Sequence, residues 1–322
     1  MFQEGALVFN RSLIVVPVDG SPETEPTVQY AVSIAKRRGA DVHVIQVVDR
    51  RSGTLWRAPE SERSLRARLR ALRPAAEQEG VSVRIVTLRG GPGSVIPAYA
   101  ELNAARLVVV GHHYGSSRLW RNSSVASRLS RSSPVPVLVV PGLGDAAAHS
   151  VSRILIAVDF TVSSAIALRT AAEWSKRLGA RLTLLHAMER PLDQMALSGG
   201  EAWRHVQRLP AEVTMLSKRL KRKAMAWGSG DAEPVVVTGN AFRGIVATAK
   251  DTHADLIVMG VARRSRFDEA LFGSTLRAVL SWATVPVLVV PVVGGAHEWI
   301  DEVQEDMIQA AATGAESARQ AA

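Results

Sequence analysis

Short runs of aliphatic and β-branched residues alternate along this chain with longer stretches in which apolar residues recur every three or four positions. In the second half, residues 154–158 read as a buried strand, and a helix follows from Ser164 to Leu178, closed by Gly179. Strands are predicted at 181–187, 235–237, 255–259 and 286–290, with helices over 209–227, 242–253 and 274–283 between them. The first half follows the same order. Strands that are apolar almost throughout, each followed by a helix, predict parallel sheets covered on both faces. The fold class expected is therefore α/β, with two doubly wound five-stranded domains.

The two-domain reading rests on an internal repeat. S-L-I-V-V-P-V-D-G-S at 12–21 matches R-I-L-I-A-V-D-F-T at 153–161, which aligns Asp19 with Asp159. A-K-R-R-G-A-D-V-H-V at 35–44 matches S-K-R-L-G-A-R-L-T-L at 175–184 in the same register. A-A-R-L-V-V-V-G, ending at Gly111, matches H-A-D-L-I-V-M-G, ending at Gly260, and P-V-L-V-V-P closes both halves at Pro141 and Pro291. The boundaries expected are 1–143 and 151–292, joined through the small-residue stretch G-L-G-D-A-A-A-H-S at 142–150 and followed by an acidic tail at 293–322.

Composition narrows the chemistry. At 322 residues, with 47% hydrophobic and 21% charged positions, the chain has globular proportions. It has no cysteine, which excludes disulfide scaffolds, thiol catalysis and cysteine-held metals and fits a cytoplasmic setting. No apolar run approaches the ~20 residues of a membrane span, and the first residues lack the order of a secretory signal. The net charge of +9 invites a nucleic-acid reading, but it divides into +7 in each half and −5 in the tail rather than forming one stripe. Arg66, Arg70 and Arg73, and the run K-R-L-K-R-K at 218–223, read most simply as solvated helix faces. Aromatic residues make up only 5% of the chain, and no stacking motif accompanies the arginines.

In open α/β sheets, ligands bind beyond the carboxyl ends of the strands, where the winding reverses. Those ends carry Asp19 and Asp159 after the first strands, and Gly111 and Gly260 at the fourth. After Gly260 comes a loop, and Gly273-Ser274-Thr275 then opens a helix whose N–H groups and hydroxyls suit a phosphate. Taken alone, Gly273 is a turn residue and Ser274 an N-cap. Taken with Asp159, which would accept from an adenine amine or a ribose hydroxyl, the pair favours a nucleotide.

V-D-G-S at 18–21, V-D-F-T at 158–161, L-I-V-M-G at 256–260, L-F-G-S-T at 271–275 and the two V-P-V-L-V-V-P endings together resemble the universal stress protein family in its tandem form. The resemblance reaches Pro291 and implies adenine nucleotide alpha hydrolase-like domains related by a pseudo-twofold axis. Many members bind ATP through a glycine, two residues, a second glycine, nine residues, then glycine with serine or threonine. Gly260, Gly273 and Ser274 fit that frame, with Arg263 in place of the second glycine. Arg263 either blocks the approach of phosphate to backbone or, with Arg264, meets the triphosphate as a bidentate donor. By position, the resemblance sets Ala157, Val158, Asp159, Phe160 and Thr161 at adenine and ribose, and His186 or Ala187 beside the base. It sets Met259 and Gly260 at ribose and phosphates, and Gly273, Ser274 and Thr275 at the phosphates. Mg2+ or Mn2+ would accompany ATP.

The first-half equivalents are Val18, Asp19, Gly20, Ser21, Gly111, Ser123 and Ser124. There His112-His113-Tyr114 follows Gly111, the loop is one residue shorter, and no terminal glycine-serine pair remains, so binding is expected to be weak or absent. His112-His113 is not read as a metal or catalytic pair, since no carboxylate lies at ligand spacing. No G-x-S-x-G, H-E-x-x-H or P-loop motif occurs, and the role expected is regulatory binding with at most slow ATP hydrolysis. The alternative is a nucleotide-free interaction scaffold, with polyanion binding as a minor one. The resemblance also predicts pairing of strand 136–140 with 286–290, and it leaves a homodimer open.

Overall fold

The computed structural model describes residues 12–48, 62–112, 125–142, 151–188, 199–262 and 274–292. The chain divides into two compact units, one ending at His149 and the other beginning at Ser150. Unit 1 runs β1 (Ser12–Val18), α1 (Thr24–Arg38), β2 (Ala40–Val48), α2 (Glu62–Gln78), β3 (Val83–Arg89), α3 (Pro92–Leu102), β4 (Ala105–His112), α4 (Val125–Ser132) and β5 (Val137–Pro141). Unit 2 runs β6 (Arg153–Ala157), α5 (Val162–Leu178), β7 (Arg181–Met188), α6 (Gly199–Ala226), β8 (Glu233–Thr238), α7 (Ala241–Asp251), β9 (Leu256–Val261), α8 (Ser274–Trp282) and β10 (Val287–Pro291). The predicted α/β class holds.

Strand order within unit 1 is β3-β2-β1-β4-β5, and within unit 2 it is β8-β7-β6-β9-β10. Every described pairing is parallel: Ile14 sits opposite Val42 and Leu107, and Ile154 opposite Leu182 and Leu256. Right-handed crossovers then place the first two helices of each unit on one face of its sheet and the last two on the other. The winding reverses between β1 and β4, and again between β6 and β9. Each reversal opens a crevice at the carboxyl ends of those strands.

The central strands are buried because both faces are covered. Ile14, Val15 and Val16 of β1 and Ile154, Leu155 and Ile156 of β6 are essentially inaccessible. Gly179 closes α5 in the left-handed conformation, its N–H donating to the Ser175 carbonyl, as its sequence position predicts. The greatest difference from the predicted elements is α6, which begins at Gly199 rather than 209. Proline is favoured in the first turn of a helix and disfavoured in its interior, and Pro210 lies inside this one at the loss of one backbone donor. The acidic tail and the links at 49–61, 113–124, 143–150, 189–198 and 263–273 lie outside the described residues.

One polar contact in unit 1 carries a pH dependence. His43 of β2 is half-buried, and its Nδ1 lies 2.8 Å from the Tyr99 hydroxyl of α3. Burial, helped by the neighbouring Arg84 and opposed by Asp41, holds the imidazole below its ordinary value of 6.5. The unfolded chain therefore takes up this proton more readily than the folded one. The contribution to stability is full above the unfolded value and is lost as pH falls through the folded one. Melting of the wild type and His43→Gln between pH 7.5 and 5 checks this: the wild type should lose stability on acidification more steeply than the variant.

Candidate functional site

Asp159 follows β6 directly and builds the loop that leads into α5. Its Oδ1 accepts from the Thr161 amide at 3.0 Å and from the Thr161 hydroxyl at 2.5 Å. Thr161 is the N-cap of α5, in extended backbone, and its Oγ1 accepts from the Ser164 amide at 3.3 Å. Ser163 Oγ lies 2.8 Å from the same Oγ1. Thr161 has one hydroxyl hydrogen, already given to Asp159, so Ser163 is the donor in that contact. Among the described residues nothing hydrogen-bonds Asp159 Oδ2, and the residue is exposed at the reversal point. Unit 1 repeats the turn, with Asp19 Oδ1 accepting from the Ser21 amide at 3.0 Å.

Between Asp and the hydroxyl residue, the backbone enters the left-handed region in both units. Unit 1 has Gly20 there at φ 82°, whereas unit 2 has Phe160 at φ 62°. For a residue with a Cβ, this conformation costs roughly 1–2 kcal/mol. The Phe160 ring packs on His186 at 4.7 Å between centroids, and the Arg219 guanidinium lies 4.0 Å from the ring centre. A cation over an aromatic face contributes about 0.5–1 kcal/mol or more, which offsets part of that strain. Counted back from the glycines that follow the two helices, Gly80 and Gly228, Arg219 stands where unit 1 has Ala71. Unit 2 thus has an aromatic residue and a cation at two positions where unit 1 has glycine and alanine.

His186 Nδ1 lies 2.7 Å from the Val158 carbonyl oxygen, which can only accept. The neutral ring therefore carries its proton on Nδ1 and leaves Nε2 as an acceptor. Val158 is buried, and its amide donates to the Leu185 carbonyl of β7, which ties the loop after β6 to the neighbouring strand. Ala157 ends β6, and Ala187 follows His186 in β7, both partly exposed.

Gly260 lies in β9 with Met259 buried before it. A Cβ at Gly260 would overlap the carbonyl carbon and oxygen of Ser163 and sit 2.8 Å from the Ser164 amide nitrogen. The glycine is thus required by the first turn of α5, which presses on the end of β9. On sequence alone Gly260 reads only as a residue that admits ribose and phosphates. Ser274 and Thr275 open α8, the first exposed and the second partly so. Topology puts them at the same end of the sheet as Asp159, although no hydrogen bond joins them to it among the described residues.

Arg263, Arg264 and Gly273 lie outside the described residues, as do Ser123 and Ser124 of unit 1. In unit 1, Val18 ends β1, Gly111 lies in β4, and the Gly20 amide donates to Thr24 Oγ1 at 3.2 Å. Arg219 is the neighbour of the site that sequence reasoning missed, because it belongs to a charged run that reads as a solvated face. Among the described residues there is no group of three or more side chains suited to a metal ion, and no helix is long and apolar enough to cross a membrane.

Comparison with known proteins agrees with this architecture. The model of the universal stress protein family matches residues 11–141 and again 150–291. A universal stress protein of Mycobacterium bovis is 27% identical over 305 residues, covering 86% of this chain and 94% of that protein. The crystal structure of a universal stress protein from Archaeoglobus fulgidus superposes with a TM-score of 0.65 at 19% identity, covering 87% of this chain and 98% of that one. A putative universal stress protein from Pseudomonas aeruginosa gives a TM-score of 0.56 at 21% identity over 87% of this chain and 93% of its own. With both halves matched by the family model and the strand order repeated in each, the chain belongs to the universal stress protein family.

Proposed function

We propose that unit 2 binds an adenine nucleotide and that the protein acts as a nucleotide-responsive regulator. The observation that carries this reading is the placement of Asp159 at the β6–β9 reversal, with one carboxylate oxygen held by Thr161 and the other open. Oδ2 would accept from a ribose hydroxyl or the adenine amine. The Phe160 and His186 rings would flank the base, with Nε2 of His186 as a second acceptor suited to an amine. Ser274 and Thr275, with the first amides of α8, would take the phosphates. The fit is to the nucleotide rather than to a bare metal: a magnesium or manganese ion would be held by the phosphates and water, since the described residues offer no cluster of their own.

Mass analysis of small molecules released by denaturing freshly purified protein tests this reading, together with thermal shifts on adding ATP and magnesium. ATP or ADP should be released by the wild type and lost in Gly273→Arg, and added ATP should raise the melting temperature of the wild type alone. An empty wild type that does not respond to millimolar ATP would overturn the proposal and leave the nucleotide-free scaffold.

A further inference from the structure

The duplication provides an internal comparison at the cleft of unit 1. Glu23 immediately precedes α1, and the register of the repeat aligns it with Ser163, in the first turn of α5. Its side chain does not cap the helix but runs across the carboxyl ends of β4 and β5. A Cβ placed on Gly111 would lie 3.7 Å from Glu23 Cβ. One placed on Gly142 would lie 2.6 Å from Glu23 Cγ and 3.2 Å from its Oε1. The other carboxylate oxygen, Oε2, is buried from solvent. Unit 2 has Val292 at the position of Gly142, so two positions differ together: glutamate with glycine in unit 1, serine with valine in unit 2. A side chain at 142 would overlap Glu23 as it is placed and would also lie 2.9 Å from the His112 carbonyl oxygen, so the glycine serves both the glutamate that fills this space and the close approach of that backbone.

The electrostatic consequence follows from the helix. The amino end of α1 is the positive end of its dipole, and it faces the β1–β4 reversal, where an anionic ligand would be drawn. In unit 1 that end already has a carboxylate beside it. A phosphate entering the same crevice would meet a like charge in a poorly solvated setting, and it would find the space over Gly111 and Gly142 taken.

We propose that Glu23 closes unit 1 to anionic ligands, acting as a resident anion in its cleft, and so confines nucleotide binding to unit 2. This rests on the nucleotide reading of the fold, but it assigns the closure to one side chain rather than to the altered loop after β4. Replacing Glu23 by its unit 2 counterpart should open the cleft. ATP binding is measured by calorimetry on the full chain for wild type, Glu23→Ser, Gly273→Arg and the double variant, with Glu23→Gln as a variant of unchanged shape. The double variant should bind ATP about tenfold or more tightly than Gly273→Arg alone, and Glu23→Ser should bind two nucleotides per chain where the wild type binds one. Glu23→Gln should fall between them, since it removes the charge and keeps the bulk.

If neither Glu23→Ser nor Glu23→Gln gains binding over its parent, while melting shows both folded, the closure lies elsewhere and the inference is overturned. A wild type that binds nothing beside a Glu23→Ser that binds ATP would overturn the unit 2 reading and leave this one standing.

Discussion

Replacing Gly260 with alanine should destabilise unit 2 by about 3 kcal/mol or more, a loss of the size that overpacking produces when backbone rather than side chain must give way. The new methyl group would fall on the Ser163 carbonyl and close to the Ser164 amide. Those atoms belong to the first turn of α5, whose cap is fixed by the Thr161 and Asp159 contacts. The turn cannot rise without losing that cap, and β9 cannot sink because Ile257, Val258 and Met259 pair with Val287, Leu288 and Val289 of β10. Gly111→Ala provides the comparison. There the obstacle is Thr27 Oγ1 at 2.6 Å, the end of a side chain that can rotate, so a cost nearer 1 kcal/mol is expected. Denaturant unfolding of both variants checks the order. A Gly260→Ala protein as stable as Gly111→Ala would show that the start of α5 slides freely over β9.

The contrast shows what a sequence discloses at such a position and what it leaves out. The repeat and its strand–helix alternation established the α/β class, because apolar runs buried on both faces have no other economical arrangement. The reversal point follows from topology, which singles out Asp159 and Gly260 at the strand ends. The reason for Gly260 did not follow, since it depends on how closely α5 approaches, and that distance is a product of the whole fold. Nor did the stack of Arg219 on Phe160: one residue lies in the loop after β6 and the other in α6, and nothing in K-R-L-K-R-K separates the arginine that turns inward from its exposed neighbours Lys218, Lys221 and Arg222. The early start of α6 is likewise not legible, because a proline disfavours a helix interior and local propensity therefore argues against a helix that continues through Pro210.

Asp159→Ala should have the largest effect on ligand binding of any single change in the β6–α5 loop, a loss of about 2 kcal/mol, or roughly thirtyfold in affinity for ATP. Two roles are combined in this carboxylate. Oδ1 organises the loop through the amide and hydroxyl of Thr161, and Oδ2 is the oxygen that the proposed nucleotide would meet. Thr161→Ala separates them, because it removes the side-chain cap of α5 and one contact to Oδ1 while leaving the carboxylate in place. Loss of the cap should cost about 1 kcal/mol of stability, with only a small change in affinity. The measurement is a pair of titrations with ATP beside a pair of melting curves. If the two variants weaken binding equally, the carboxylate acts only by shaping the loop, and the ligand contact assigned to Oδ2 is wrong. A much greater loss of affinity in Asp159→Ala at comparable stability would instead identify Asp159 as a direct contact. The same substitution at Asp19 should leave ATP binding unchanged, because Glu23 already occupies the cleft beside it.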